Sequence, residues 1–253
     1  MLSLSNKLSL STAKVASGFN ISSVSGLVTW FKFDTNISTA DQDSDGDADI
    51  SWTSSHTDGR SAKQTTDAQE PGTTGGYINF DGNGDNLDLN SSITLGEFTM
   101  FIALDLDDFN NETILGKSDS TNHFIRFGFQ GNDDKFRFRR TSGTYQQDGI
   151  MSESMTSGTV NLMTIRSFNN GSNSTLQVRR ATKSGSTITT NQVYENTTTA
   201  FSHAQDLILN TIGVQATSSA PMDGKLYEWV VFNEKVADAD ITLIEADILN
   251  RIG

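Results

Sequence analysis

Asp223-Gly-Lys-Leu-Tyr-Glu-Trp-Val-Val-Phe-Asn233, followed after a short gap by residues 238–252, decides the fold class. Leu226, Trp229, Val230, Val231 and Phe232 supply the branched and aromatic side chains that suit a pleated, half-buried surface. Asp223 and Gly224 carry turn chemistry, so they are read as the opening of this strand. Asp238 is a suitable helix N-cap, and Ile241, Ile244, Ile248 and Ile252 recur at helical spacing. The chain therefore closes with a long strand and one amphipathic helix.

Working outward, the same period-two signal recurs without intervening helices. Residues 27–34, Leu-Val-Thr-Trp-Phe-Lys-Phe-Asp, read as the first strand of the domain. In 98–106, Phe98, Met100, Ile102, Leu104 and Leu106 face one way, and Thr99, Phe101, Ala103 and Asp105 face the other. Further strands are expected at 113–117, 124–129, 135–140, 160–168, 175–180 and 207–214. Shorter ones flank the turn Asp81-Gly-Asn-Gly-Asp85, and Asn169-Asn-Gly-Ser172 reads as a hairpin connection. Residues 35–76 read as a long polar loop with one short strand near 50–53. Strands at this spacing, with no alternating helices, predict an all-β, antiparallel two-sheet sandwich.

Composition agrees. A chain of 253 residues with 35% hydrophobic content suits one turn-rich sheet domain better than a helical bundle. The acidity is mostly aspartate, 23 Asp against 8 Glu, and the formal net charge is −13. A sequence pI of about 4.5 argues against a nucleic-acid partner, which calls for a basic footprint. There is no cysteine, hence no disulfide and no thiolate chemistry. No apolar run is long enough to span a bilayer, so no membrane partner is expected.

Residues 1–25 read differently from the rest. Leu2, Leu4, Leu8 and Leu10 alternate with serines, and Leu-Ser-Leu-Ser occurs at 2–5 and 8–11. This stretch is expected to be an extended arm that adds as a strand to a neighbouring edge, with the sandwich spanning 26–253. It has no continuous apolar core of a secretory signal, so export by assembly or lysis is expected rather than signal cleavage.

Gly26-Leu-Val-Thr-Trp-Phe-Lys-Phe-Asp34 resembles the opening strand of concanavalin A-like (laminin G-like) jelly-roll domains of phage and bacterial surface proteins. The stretch from Trp52 to Gln64 and Ala68-Gln-Glu-Pro71 is similar to the loop that follows in those domains. Gly76-Tyr-Ile-Asn-Phe-Asp-Gly-Asn-Gly-Asp85 resembles their F-D-G-x-x-D turn, and the closing strand and helix resemble theirs. The match covers residues 26–252. The Leu-Ser-rich start also looks like structural proteins of tailed phages, particularly marine ones (cyanophages). The resemblance implies a virion component, such as a capsid decoration, fibre or baseplate protein. It would be an oligomer within the particle, tethered by its arm to other virion proteins and in contact with host-surface glycan.

Asp41, Asp43, Asp45, Asp47 and Asp49, with Gly46 among them, reproduce the alternating carboxylates of an EF-hand loop and are the leading candidate Ca²⁺ ligands. Position 12 of that loop is Trp52 rather than a bidentate Glu, and no helices flank it. Asp81, Asp85 and Asp88 form a second, sparser set, since some laminin G-like domains bind Ca²⁺ at loop aspartates. Phe136 and Phe138 alternate with Arg137 and Arg139, which puts cations on one strand face, suited to planar carboxylates. Arg126, Arg140, Arg179 and Arg180 are in or beside strands too. Trp52 is the indole expected to be exposed for stacking on sugar; Trp30 and Trp229 are expected in the core.

Catalytic signatures are missing. No Glu-x-Asp-x-Glu strand motif pairs two carboxylates, Glu228 has no acidic neighbour at 226 or 230, and no Gly-x-Ser-x-Gly elbow occurs. Gly116-Lys-Ser118 lacks the earlier glycine of a phosphate loop, and His56, His123 and His203 lack metal spacing. The expectation is a non-enzymatic virion structural protein. The alternatives are a Ca²⁺-dependent lectin module and, more remotely, a polysaccharide-degrading enzyme.

Overall fold

The computed structural model describes residues 9–10, 19–128, 132–140, 146–171, 173–198, 206–216 and 220–253. The strands are β1 (Ser9–Leu10), β2 (Leu27–Phe31), β3 (Ile37–Ser38), β4 (Ile50–Thr53), β5 (Ser61–Gln64), β6 (Gly72–Thr74), β7 (Tyr77–Asp81), β8 (Leu87–Leu95) and β9 (Phe98–Leu106). After them come β10 (Glu112–Lys117), β11 (Ser120–Phe127), β12 (Lys135–Arg139), β13 (Gln146–Ile150), β14 (Asn161–Asn170), β15 (Asn173–Ser184), β16 (Thr187–Thr198), β17 (Leu207–Ile212) and β18 (Asp223–Phe232). Helix α1 (Asp238–Ile252) closes the chain.

Among the described residues, two nine-stranded sheets form a β-sandwich. The first runs β1-β16-β15-β14-β9-β18-β7-β6, with β2 also paired to β18; the second runs β13-β12-β11-β10-β17-β8-β5-β4-β3. β18 pairs with β9 along one side. Its other side is shared between β7, at residues 223–226, and β2, at residues 229–232.

The alternation in β9 sorts two cores. Phe98, Met100, Ile102, Leu104 and Leu106 enter the core between the sheets, while Phe101 and Ala103 enter a second core beneath α1 on the outer face of the first sheet. β18 obeys the same parity with one break. Leu226, Trp229 and Val231 point into the sandwich and Val230 and Phe232 toward the helix, with a register shift between Leu226 and Glu228. This bulge turns Tyr227 and Glu228 both outward. Gly224, expected in a turn, lies inside β18 at φ 140°, and a Cβ there would sit 2.4 Å from the Asp105 carbonyl oxygen. Close backbone approach to β9, not a turn, calls for glycine here.

The helix presents Ile241, Ile244, Ile248 and Leu249 to the second core, and Ile252 packs at its edge. Its N-cap is Ala237 without a side-chain cap; Asp238, expected there, is the first helical residue and ion-pairs with Arg166 at 2.6 Å. A carboxylate in the first turn favours the helix dipole. Glu245 is also buried on the inner face. It accepts hydrogen bonds from Thr164 Oγ1 (2.8 Å), Arg179 Nε (3.2 Å) and Thr190 Oγ1 (3.3 Å). Lys183 Nζ caps the last turn at the Leu249 carbonyl, 3.3 Å away.

Other strand expectations met the ladder unevenly. Asn170 pairs with Asn173 across Gly171, as the hairpin reading required. The polar stretch 35–76 holds β3, β4, β5 and β6 rather than one strand, and the threonine-rich β16 and the polar β13 were not foreseen. These strands lie at or near the ends of the two sheets, and main-chain pairing holds them with fewer apolar side chains than the central strands carry.

The expected arm boundary also shifts. Ile21 is fully buried, and Phe19 and Val24 pack beside it under the helix, so the packed domain takes in residues 19–25. The Leu-Ser repeat at 2–5 lies outside the described residues. From the second repeat, Ser9 and Leu10 pair with Thr189 and Ile188 of β16, so β1 forms the edge of the same sandwich.

Glu228, fully buried, accepts from Trp30 Nε1 at 2.7 Å and from Arg251 Nη2 at 2.5 Å, which ties strand, sheet edge and helix end together. Removing one partner of a buried pair leaves an uncompensated charge, at a cost of about 3 kcal/mol. We expect Arg251→Leu to lower stability by about that amount in urea unfolding; an unchanged midpoint would show that the pair contributes nothing.

Candidate functional site

The loop between β3 and β4 does not gather its five aspartates on one point. Asp41, Asp43 and Asp49 offer carboxylate oxygens within 4.8 Å of one another, and Asp45 and Asp47 form a second trio with Asp67, which follows β5. Asp67 was not anticipated, because only the β4–β5 hairpin brings it beside the loop. The carboxylates also serve the loop's own backbone. Asp41 accepts from the Ser44 and Gly46 N–H groups at 2.6 and 3.2 Å, Asp43 from Asp45 N–H at 3.2 Å and Asp45 from Asp47 N–H at 3.0 Å. Asp49, 3% exposed, accepts from the N–H groups of Gln42 and Asp43. These are side-chain-closed turns in which the carboxylates also serve as backbone acceptors. Either trio could hold a divalent metal with its remaining oxygens, each trio giving fewer protein ligands than the six to eight that Ca²⁺ takes.

Asp81, Asp85 and Asp88 are not brought together as a metal-holding group among the described residues. Asp85 is buried and accepts the Asp81 N–H at 3.0 Å, closing the turn after β7. Asp88 faces outward on β8, opposite Lys63 of β5 and Thr211 of β17. A strand residue and a turn residue three positions apart leave by different directions, which sequence spacing does not reveal.

These aspartates belong to a longer run of carboxylates. Asp47 is held above the usual carboxylate range by Asp67 and then Asp45. Glu70 is raised by burial and by Asp49, Asp67 and Asp45. Asp85 is pushed up to about 6 by burial, with Asp81 and Glu70 adding to it. Asp223 is raised by burial and by Asp108, Asp107 and Asp81. The run ends at Glu112, 2% exposed, where the chain crosses from one sheet to the other between β9 and β10. Its Oε2 accepts the Asp223 N–H at 2.5 Å, and burial together with Asp108 pushes it up to about 8. Lys225 lies 3.9 and 3.7 Å from Asp105 and Asp107 in the same neighbourhood.

Trp52 is not the exposed indole expected. It is fully buried on β4, its Nε1 donating to the Lys32 and Thr35 carbonyls at 3.2 Å each, with Phe31 5.4 Å away. Ile50 and Trp52 alternate inward, and backbone acceptors inside the sandwich satisfy the indole N–H. Trp229 is in the core as expected, and Trp30 is in the core under the helix.

The arginines divide. Arg179 serves Glu245, Arg180 donates to Asn161 Oδ1 at 2.7 Å, and Arg140 is fully buried against Ser167 and the Gly96 carbonyl. Arg126, Arg137 and Arg139 stay on the outer face of the second sheet. Arg137 and Arg139 flank the inward Phe136 and Phe138, as the alternation predicted. Among the described residues no helix is long and apolar enough to cross a membrane.

No family model matches the chain, and no curated protein matches it. Among solved structures it is similar to domain 4 of AbnA, an extracellular GH43 arabinanase from Geobacillus stearothermophilus, in complex with arabinotriose. That likeness has a TM-score of 0.51 at 15% identity, over 87% of this chain and 98% of that one. An arabinofuranosidase complexed with arabinofuranosyl-α-1,2-xylobiose matches with a TM-score of 0.50 at 13% identity, over 88% of this chain and 59% of that one. At such identities the likeness establishes a shared β-sandwich fold.

Two outcomes test the electrostatics. A carboxyl whose folded-state pKa is raised stabilises the fold below its unfolded value and loses that contribution as pH rises through the folded one. The melting temperature of the native chain should therefore fall more steeply between about pH 4.5 and about pH 8 than that of Glu112→Gln; parallel curves would place Glu112 outside the effect. With chelator present, Asp67→Asn should raise the melting temperature by relieving the repulsion on Asp47, and a fall would mean that Asp67 instead holds the loop together.

Proposed function

We propose that this chain is a non-enzymatic display domain, a glycan-contacting sandwich carried on a tailed-phage virion by the residues that precede Phe19. The state of the glutamates supports the non-enzymatic part for glutamate acid–base pairs, while the 23 aspartates are left to the reducing-sugar assay below. Each of the eight is engaged by a neighbour: Glu70 by Ile50 N–H, Glu97 by Asn169 N–H, Glu112 by Asp223 N–H and Glu153 by Asn191. Glu195 is held by Gln177 and Gln192, Glu228 by Trp30 and Arg251, Glu234 by Ser25, and Glu245 by Arg179. Glycoside hydrolysis asks for two carboxyl groups facing a sugar from opposite sides, one free to give a proton and one free to attack or activate water. Glu112 has the raised pKa of an acid but is buried against backbone.

Glycan contact is supported by the end-to-end likeness to a sandwich domain solved with arabinotriose, a fold-level argument. Tethering is supported by the Leu-Ser-rich start, whose period-two pattern suits strand addition. In this reading Ca²⁺, if taken up, sits across Asp45, Asp47 and Asp67 or across Asp41, Asp43 and Asp49, and stiffens the loop.

Affinity electrophoresis in gels cast with plant and bacterial polysaccharides should retard the chain while reducing-sugar assays stay at background. Release of reducing ends would overturn the non-enzymatic reading, and free migration in every gel would overturn glycan contact. A chain lacking residues 1–18 should melt within a few degrees of the full one yet be absent from purified particles; its incorporation would overturn the tether.

A further inference from the structure

We infer that the outward face of the second sheet at β11 and β12, built by Arg126, Arg137 and Arg139 around Phe124, binds a carboxylate-bearing polysaccharide. The inference rests on the glycan-contact reading above and specifies the class of glycan.

The patch follows from alternation and register. Phe136 and Phe138 point into the sandwich, so Lys135, Arg137 and Arg139 share the opposite face. Across the ladder Arg126 stands opposite Arg137, and Phe124 opposite Arg139. Residues opposite on one sheet face lie about 5 Å apart at Cβ, so the three guanidiniums form one cluster. Phe124 belongs to neither core, yet is only 3% exposed, because Arg126 and Arg139 lie over its ring at 4.6 and 5.6 Å.

Like charges placed opposite each other on a sheet are unfavourable. Arg126 registers this, its pKa drawn down to about 10 by burial and then by Arg137 and Arg139. Several of the described contacts here are neutral: Arg126 Nε donates to Thr113 Oγ1 at 2.8 Å, and Arg139 reaches the Thr121 carbonyl and Asn122 Oδ1 at 3.4 Å. Along β11, β12 and β13 the sequence has one acidic residue, Asp148, which the register sets opposite Arg137. Three arginines and Lys135 stand against Asp148, with Glu112 of β10 also acting on Arg126, so cations outnumber carboxylates along this strip on a chain of net charge −13. Ile150, opposite Lys135, is 66% exposed and adds apolar surface at the strip's edge.

A carboxylated sugar chain complements this surface on both counts. Guanidinium planes pair with carboxylates in a two-point fork, and the C–H faces of sugar rings suit the exposed Ile150 at its edge. A row of carboxylates along a polymer would meet several of the cations at once.

The full chain is titrated against polygalacturonate, its fully methyl-esterified form, and neutral arabinan, at low and at raised salt. Polygalacturonate should bind at least tenfold more tightly than the ester, and salt should weaken it, since exposed charges are screened. The double variant Arg137→Gln/Arg139→Gln should lose tenfold or more toward polygalacturonate, while Lys63→Gln, on the same sheet but away from the patch, should not. Equal binding of acid and ester overturns the inference and leaves the glycan reading standing. No binding to any of the three overturns both. Native self-association that the double variant abolishes, with no glycan bound, would assign the face to a second copy instead. If the double variant fails to fold, the acid-against-ester comparison on the native chain still decides.

Discussion

The structure depends on one strand with three partners. β18 must pair with β9 along its length, receive β7 and β2 in turn on its other side, and serve two cores at once. A perfectly regular strand would not meet all these demands. The bulge at Leu226–Glu228 resets the side-chain parity midway, so that Leu226 and Trp229 both reach the inter-sheet core. The residues turned outward by the bulge are then used: Tyr227 meets Phe33 and Tyr77, and Glu228 anchors Trp30 and Arg251. Gly224 lets the strand begin against the β9 backbone, where a side chain has no room.

The second constraint is the polar seam beneath the helix. α1 covers the outer face of the first sheet through isoleucines, but Glu245, Arg179, Thr164 and Thr190 run through the same interface. A buried ion pair contributes little net stability over apolar packing, while a broken one is costly. Its consequence here is placement: the helix has one rotation and one register in which Glu245 meets Arg179 and Arg251 meets Glu228.

Charge is distributed unevenly over the molecule. The carboxylates concentrate on the loop 41–49 and the turns that lead from it to Glu112, where several are held above their usual range by burial and by one another. Three half-buried arginines, Arg126, Arg137 and Arg139, share the outer face of β11 and β12 in the second sheet. The net acidic field of the chain and this positive strip act on an approaching anion in opposite directions.

Much of the architecture was legible from residue order alone. The parity of 98–106, the Asn170–Asn173 hairpin, the closing strand and the helix face from Ile241 to Ile252 are local patterns, and period two or period 3.6 states which side of an element is apolar. Arg137 and Arg139 on one face of their strand were legible for the same reason. Asp67 joining Asp45 and Asp47, Trp52 buried under backbone acceptors, Glu112 facing Asp223 and Arg126 standing beside Arg137 were not. Each depends on which strands become neighbours, and that is settled by long-range pairing between segments whose separation in sequence carries no spatial information. The sequence by itself determined the elements and their faces; tertiary structure decided which charged groups share a surface, because electrostatics acts through distance in space and not along the chain.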